Sequence, residues 1–317
     1  MTDMTYMQMA LDLARKGWGW TSPNPMVVAV MVKDSQVSGQ GYHTRCGDLH
    51  AERAALASCT ESPKGATIYV TLEPCCHQGR QPPCTDALLE AGISRVVVGA
   101  PDPNPQVAGR GVAILREAGV TVTEHVLEAE CIALNDIYFH YITTGTPYVI
   151  LKYAMTLDGK IAAHTGQSQW ITCEVVRHYV HTQRGRCRAI MVGVGTVLSD
   201  NPQLTCRIPG GRSPLRIVCD SHLRTPLAAQ VVQTALEVPT IIATCSRDQE
   251  RIARYEDLGV LLWTLPARDG RVDLSSLMVL MGQNEIDSVL IEGGAALNLS
   301  LLECGLVHKV QAYIYPK

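Results

Sequence analysis

Short β-branched apolar runs alternate with stretches of helical periodicity along this chain, and that alternation restricts it to layered α/β sheets. From the amino end, apolar side chains recur at helical spacing between Tyr6 and Ala14, with Gly17 placed to end the helix. Met26–Val32 reads as a buried strand, Ala51–Cys59 as an alanine-rich helix and Ala66–Leu72 as a second strand. A helix over Thr85–Ala91, a strand at Arg95–Gly99, a helix over Val107–Ala118, a short strand at Val120–Thr123 and one helix over Glu128–Ile142 follow. The polar TTGTP stretch from Thr143 to Pro147 then marks a boundary. A chain of 317 residues is also longer than one hydrophobic core usually serves, so domains over 1–145 and 146–317 are expected. The second unit repeats the alternation, with strands at Tyr148–Tyr153, Ala189–Val192, Leu215–Cys219, Thr240–Ala243, Ser288–Glu292 and Lys309–Ile314. Its helices are expected over Val175–Gln183, Gln249–Asp257, Leu274–Met281 and Ala295–Cys304.

Composition narrows the setting. Apolar residues at 46 % and charged residues at 18 % suit ordinary cores, and a net charge of -3 disfavours nucleic acid as the main partner. The amino terminus has no signal-peptide pattern, and no apolar run of about 18 residues suggests a membrane span. The twelve cysteines are therefore expected as cytoplasmic free thiols, a few of them reserved for metal. A cytoplasmic homo-oligomer with no membrane partner is the expectation.

Those few are identifiable. His50 and Glu52 sit at the start of a predicted helix, Cys75 directly follows a predicted strand, and Cys84 opens the next helix. One imidazole and two thiolates make three zinc ligands with a fourth position open for water, the arrangement of a catalytic site. Helix amino termini favour thiolate over thiol. Zinc makes a hydroxide available at neutral pH, and a nearby carboxylate that is not a ligand can move protons, so Glu52 is the candidate catalytic residue. Zinc deaminases of nucleobases share this His/Cys/Cys set with its non-ligand Glu, although two residues separate their cysteines. Eight separate Cys75 from Cys84, and Cys76 and His77 remain competing ligands. In the second half, Gly193 and Gly195 follow a predicted strand and Gly293–Gly294 follow another. Such turns admit a phosphate-bearing ligand, or are simply tight connections.

NPMV at Asn24–Val27, GYH at Gly41–His43, HAE at His50–Glu52, TLEPCCHQGRQPPC at Thr71–Cys84 and DPNPQVAGRG at Asp102–Gly111 together resemble the deaminase domain of the bifunctional deaminase–reductase family of riboflavin biosynthesis. LKYAMTLDGK at Leu151–Lys160, SQWIT at Ser168–Thr172, AIMVGVGTVLSDNP at Ala189–Pro202 and IEGGAAL at Ile291–Leu297 resemble its reductase domain. The resemblance implies a cytidine-deaminase-like three-layer α/β/α domain followed by a dihydrofolate-reductase-like α/β domain, with one zinc and NADPH as cofactors. It also explains the long cysteine gap and implies zinc at His50, Cys75 and Cys84. By resemblance, Asn24, His43, Asp102 and Asn104 contact a phosphorylated pyrimidine. Ala154, Trp170, Thr196, Asp200, Ser221 and the stretch Gly294, Ala295, Ala296, Leu297, Asn298, Leu299 and Ser300 match cofactor positions. Ser168, Arg184, Leu204, Arg207 and Glu292 match the reductase substrate positions.

The implied activity is deamination of 2,5-diamino-6-(5-phosphoribosylamino)pyrimidin-4(3H)-one, followed by NADPH-dependent reduction of 5-amino-6-(5-phosphoribosylamino)uracil. From the residues alone, Asn24-Pro25 and Asp102-Pro103 are also turn formers, Trp170 a core residue, and Arg184 and Arg207 surface arginines. Family members extend some tens of residues beyond Lys317, so a C-terminally truncated, inactive reductase domain is the first alternative. A nucleic-acid base deaminase would want stacking aromatics and a basic track, and aromatic residues make up only 5 %. A zinc-stabilised binding protein without turnover is the third alternative; it requires a closed metal or an averted Glu52.

Overall fold

A computed structural model describes residues 1–14, 20–79, 81–160 and 173–315. Ser168 and Trp170 lie outside the described residues. The chain divides into two units, Met1–Thr144 and Gly145–Lys317.

The first unit runs α1 (Asp3–Ala14), β1 (Val28–Lys33), β2 (Gln36–Tyr42), α2 (Ala51–Ala57), β3 (Thr67–Leu72), α3 (Cys84–Glu90), β4 (Arg95–Ala100), α4 (Arg110–Glu117), β5 (Thr121–Thr123), α5 (Glu128–Leu134) and α6 (Asp136–Thr144). Its sheet has the order β2-β1-β3-β4-β5, with β1 antiparallel to both neighbours and β3, β4 and β5 parallel. Because side chains alternate across a strand, the two faces collect different cores. Ala29, Met31, Ile68, Val70, Val96 and Val98 pack with Ala51 and Ala55 of α2, Leu88 of α3 and Leu115 of α4. Val28, Val30, Tyr69 and Val97 pack with Tyr6, Met7 and Ala10 of α1 and Cys131 of α5. The result is three layers, helix, sheet and helix.

Two local features differ from the expected elements. The strand β2 is paired to β1 through a two-residue turn at Asp34 and Ser35, both at positive φ (46° and 64°). Its glycines hide it as a strand, but they are what lets α2 lie against it: a Cβ on Gly41 would stand 2.3 Å from Ala55 N, and one on Gly39 2.7 Å from Ala55 O. The single helix expected over Glu128–Ile142 is broken at Asn135, whose buried amide takes Met26 as if it were a strand neighbour. Asn135 Oδ1 accepts from Met26 N at 2.7 Å, and Nδ2 donates to Met26 O at 3.1 Å.

The second unit runs β6 (Tyr148–Thr156), α7 (Glu174–Arg186), β7 (Ala189–Gly193), α8 (Val194–Asp200), β8 (Leu215–Cys219), α9 (Gln230–Gln233), β9 (Thr240–Thr244), α10 (Gln249–Glu256), β10 (Leu261–Thr264), β11 (Ala267–Arg268), β12 (Arg271–Val272), α11 (Leu274–Gln283), β13 (Ser288–Ile291), α12 (Ala295–Glu303) and β14 (Lys309–Tyr315). Seven strands form one sheet in the order β10-β9-β8-β7-β13-β6-β14, every pair parallel. All seven therefore end on the same side, which is where open parallel sheets place their ligands. Both faces are covered, which is why the central strands read as continuous apolar runs. Met191, Ile217 and Val289 join Leu277, Met281 and Leu301 on one face, and Ile190, Val192 and Val218 join Val197, Val231 and Ile252 on the other.

Arg216 of β8 is fully buried. It donates to Thr240 Oγ1 (2.9 Å), Thr234 Oγ1 (2.8 Å) and four carbonyls: Gln203 (3.1 Å), Val231 (3.1 Å), Thr234 (3.0 Å) and Val238 (2.7 Å). One guanidinium thus ties β8, β9 and α9 to the loop that begins at Gln203.

Candidate active sites

In the first unit the chemistry gathers at one end of the sheet, where β3 and β4 finish, β2 finishes and β1 begins. His50 caps α2 with extended backbone, and Glu52 follows in the first turn with a side chain only 3 % exposed. Cys84 is the first residue of α3. Across the eight-residue gap, the carbonyl of Cys75 accepts from Cys84 N (3.0 Å) and Thr85 N (3.2 Å), so Cys75 itself closes the start of α3. Arg53 holds the approach to Cys84, donating Nη2 to Pro83 O at 3.0 Å and Nε to Pro82 O at 3.4 Å.

His50 Nδ1 stands 3.4 Å from Cys75 Sγ and 3.5 Å from Cys84 Sγ, and all three ligand atoms lie within 4.8 Å of one another. Tetrahedral zinc with Zn–S of about 2.3 Å and Zn–N of about 2.0 Å requires N···S separations of about 3.5 Å. The donor set therefore fits zinc in chemistry and in spacing. Cys76 is not part of this group; its thiol lies 3.7 Å from Gln106 O. Donation from Cys84 and the His50 ring hold the Cys75 thiol down to about 4. Burial, with the Cys75 thiolate beside it, pushes the Glu52 carboxyl up to about 7.

The four expected substrate residues surround this centre as two hydrogen-bonded pairs. Asn24 and His43 meet at 3.1 Å (Nδ2 to Nε2), and His43 Nδ1 lies 3.1 Å from Leu49 O. A ring that donates from Nδ1 to the carbonyl and accepts at Nε2 is neutral, in keeping with burial lowering the His43 pKa. His43 also meets the His50 ring edge-on, with centroids 5.7 Å apart. On the other side, Asp102 Oδ1 accepts from Asn104 N and from Tyr138 Oη, each at 2.9 Å. Burial raises the Asp102 carboxyl.

Glu73 is the residue that sequence reading passed over. Its buried carboxylate accepts from Gly109 N (2.9 Å), Val112 N (3.2 Å) and Asp102 N (3.4 Å), and so fastens the start of α4 and the Asp102 loop to the strand end that carries Cys75. Gly111 is obliged by this closeness, because a Cβ there would stand 2.2 Å from Pro74 O. The EPC triplet was the available signal: a carboxylate two residues before a ligand.

The second unit builds its site from main chain. Gly193 caps α8 and Gly294 caps α12, at the ends of the neighbouring strands β7 and β13. Gly293 and Gly294 take φ of 127° and 90°, which only glycine adopts without strain, and a Cβ on Gly293 would stand 3.3 Å from Thr196 Oγ1. Two helix starts thus converge on a bare cradle suited to the phosphates of a dinucleotide. In the first turn of α12, Asn298 Oδ1 is a buried acceptor without a partner among the described residues. Thr196 and Asp200 share one face of α8, Ala295, Ala296 and Leu299 are exposed on α12, and Leu297 is buried beside Gly193. Ser300 lies one turn on, and Ala154 sits on β6 opposite Tyr313. Ser221, just past β8, accepts from Val272 N at 3.0 Å, and its hydroxyl also hydrogen-bonds the Cys245 thiol. These groups fit a nicotinamide dinucleotide.

The two arginines expected at the reductase substrate differ in their surroundings. Arg184 grips Glu292 with both sides of its fork (Nε–Oε1 2.6 Å, Nη2–Oε2 2.8 Å) and donates Nη1 to Thr205 O at 2.9 Å. Burial alone would raise the Glu292 carboxyl, but the Arg184 fork overrides it and holds it below the usual carboxylate range. Among the described residues the Arg207 guanidinium donates only to Thr205 Oγ1, at 3.4 Å, and is the less tightly held of the two. Its main-chain N–H is held by His181 Nδ1 at 3.2 Å. Burial, with Arg184 and Arg207 nearby, lowers His181 to about 4. Leu204 is buried in the core beside Val192 and Val197, with φ of 55°, so its side chain is taken up by packing.

A zinc-deaminase domain followed by a dihydrofolate-reductase-like α/β domain defines the class, a two-domain enzyme. Residues 1–100 match the cytidine and deoxycytidylate deaminase zinc-binding region, and residues 147–317 match the RibD C-terminal domain. The chain is 55 % identical to the riboflavin biosynthesis protein RibD of Actinobacillus pleuropneumoniae over 317 residues, all of this chain and 84 % of the relative. Identity to the RibD of Escherichia coli is 42 % over 331 residues, covering 100 % and 88 % of the two chains. Among solved structures, a diaminohydroxyphosphoribosylaminopyrimidine deaminase/5-amino-6-(5-phosphoribosylamino)uracil reductase of Thermotoga maritima superposes with a TM-score of 0.85 at 41 % identity, covering 95 % of this chain and 84 % of that one. Acinetobacter baumannii RibD superposes with a TM-score of 0.89 at 39 % identity, covering 99 % and 87 %. The chain belongs to the RibD family of bifunctional riboflavin biosynthesis enzymes.

Proposed function

We propose that this chain performs both steps, removing the ring amine of 2,5-diamino-6-(5-phosphoribosylamino)pyrimidin-4(3H)-one and then reducing 5-amino-6-(5-phosphoribosylamino)uracil with NADPH. The observation that carries the reading is the convergence of His50, Cys75 and Cys84 on zinc-compatible spacing beside the buried Glu52. Zinc held there supplies a nucleophilic water at neutral pH. Glu52 would carry two protons in turn, one from the attacking water to the ring nitrogen and a second from the hydroxyl then borne by the ring carbon to the amine, which leaves as ammonia. A carboxyl poised near 7 can perform both halves of that transfer. Asn24, oriented by neutral His43, and Asp102 with Asn104, steadied by Tyr138 and Glu73, hold the pyrimidine and its phosphoribosyl arm.

In the second site NADPH contributes the hydride. The α8 and α12 starts, with Thr196, Asp200, Ser221 and the stretch 294–300, hold it; Ala154 and Trp170 complete that set. Arg207 receives the sugar phosphate, and Arg184 fixes Glu292 at the substrate; Ser168 and the Leu204 main chain complete that side. The substrate is a small phosphorylated pyrimidine and not a polynucleotide. No described helix is long and apolar enough to cross a membrane, and all twelve cysteines are free, which supports a cytoplasmic site of action. The test is a coupled assay on the diamino substrate that follows ammonia and NADPH absorbance beside zinc content per chain. Release of ammonia followed by NADPH oxidation is expected; ammonia without oxidation would overturn the second step.

A further inference from the structure

One short segment touches both sides of the pyrimidine pocket. At the break between α5 and α6, the Asn135 amide holds the main-chain N–H and carbonyl of Met26, two residues after Asn24. The break gives α6 its own direction: Cys131 of α5 stays in the sheet core, while Tyr138 of α6 packs at its margin. From there Tyr138 reaches the Asp102 loop, and its hydroxyl donates to Asp102 Oδ1 at 2.9 Å. The Asn104 side chain hydrogen-bonds that same hydroxyl. Its amide N–H is the donor there, since Asn104 Oδ1 accepts from Gln106 N at 3.0 Å and the hydroxyl proton is turned toward Asp102. A single phenol oxygen therefore orients both expected substrate residues of that loop.

That hydroxyl decides what Asp102 has left to offer. Oδ1 is occupied by two donors, Asn104 N and Tyr138 Oη. Oδ2 accepts from no described residue and is not among the enclosed polar atoms, so it is the oxygen that an otherwise buried Asp102 turns to a ligand. Burial, with Glu73 and Cys75 nearby, pushes the Asp102 carboxyl up, while the Asn104 N–H and the Tyr138 hydroxyl pull it back. Burial also pushes the Tyr138 hydroxyl far above the ordinary tyrosine range, so it stays a donor. Hydrogen bonds to an ionised group are the strong ones, and this one favours the carboxylate over the acid. A carboxylate with one oxygen occupied presents a pure acceptor. It pairs with an N–H or O–H and rejects a carbonyl or a ring-nitrogen lone pair at the same place.

We propose that Tyr138 is a positioning residue for deamination: its hydroxyl turns the free oxygen of Asp102 and the amide of Asn104 toward the substrate, and so selects a ligand that sets an N–H or O–H against Asp102. This rests on the reading of Asp102 as a substrate contact. Steady-state ammonia release from the diamino substrate tests it in the whole chain carrying Tyr138→Phe, which removes one oxygen and keeps the ring and its packing. KM rises about tenfold with kcat within about twofold and zinc content unchanged. The acid limb of kcat/KM moves to higher pH, because Asp102 has lost a donor that favoured its charged form and is protonated sooner as pH falls. Asp102→Asn places an amide donor at the presented position and raises KM at least as far. Adding Tyr138→Phe in that background changes KM by less than about twofold, because the hydroxyl acts through the carboxylate. An unchanged KM in Tyr138→Phe beside a raised KM in Asp102→Asn overturns the role of Tyr138 and leaves Asp102 at the substrate. Lost zinc, a fall in kcat alone, or effects of the two substitutions that simply multiply make Tyr138 a packing residue and overturn it too. An unchanged KM in Asp102→Asn overturns both.

Discussion

The two sites of this chain are made of different material. The deaminase centre is a set of side chains, each held by another: His50, Cys75 and Cys84 face one another, Glu52 is buried beside them, His43 holds Asn24, and Glu73 holds the Asp102 loop. The reductase cradle is mostly main chain, formed by two glycine turns and two helix starts. Chemistry that depends on a particular functional group is expected to fail abruptly when the group changes. Binding that depends on backbone shape is expected to fail when anything is added.

Four experiments can break or sharpen that contrast. The largest effect is expected from Glu52→Gln, which keeps zinc and fold but lowers ammonia release about a thousandfold. Reduction of the already deaminated substrate is unchanged, and retained deamination would remove Glu52 from the proton path. Next, Glu292→Ala leaves the Arg184 charge buried without its partner and costs the second unit about 3–5 kcal/mol of stability, read as a lower denaturation midpoint for that unit alone. Third, Gly293→Ala places a methyl at φ 127° and 3.3 Å from Thr196 Oγ1, costing about 1–3 kcal/mol. Its signature is a higher KM for NADPH with ammonia release intact; an unchanged KM would mean the cradle tolerates a side chain.

The smallest effect is a pH dependence confined to the second unit. His181 titrates near 4 in the folded chain against an ordinary 6.5, so between these values the unfolded chain binds the extra proton and stability falls as pH falls. Glu292, also depressed, adds its own loss at lower pH, because its stabilisation is present above the ordinary carboxylate value of 4.5 and disappears as the folded group protonates. His181→Gln flattens the upper part of that profile. A profile unchanged by the substitution would place the titrating group elsewhere.

The same contrast governs what could be read in advance. Zinc ligands and the proton carrier declare themselves through residue type, so His50, Glu52, Cys75 and Cys84 were legible even across an unusual cysteine spacing. The alternation of apolar runs likewise marked most strands, since both sheets are covered on both faces. What escaped depends on neighbours far away in sequence. The β2 strand looks too polar and glycine-rich until α2 is laid against Gly39 and Gly41. The break at Asn135 has no local cause, because the partner that rewards it is Met26. Glu73 was visible as a letter in a motif, but its role exists only once α4 arrives to be held. The inequality of Arg184 and Arg207 follows from which of them lies near Glu292, a matter of tertiary placement.

Arg216 gives the second unit a different kind of anchor from the Arg184–Glu292 pair. Its partners are hydroxyls and carbonyls, and burial lowers it only to about 10, so it keeps its charge throughout the range in which enzymes work. None of these hydrogen-bond partners is a carboxylate that could take up a proton in acid, and dissolved ions cannot reach the enclosed guanidinium to screen it. The corner where β8 meets α9, and with it the loop from Gln203 to Arg207, is therefore indifferent to ionic strength. A substrate phosphate that binds Arg207 feels the salt of the medium; the frame that presents Arg207 does not.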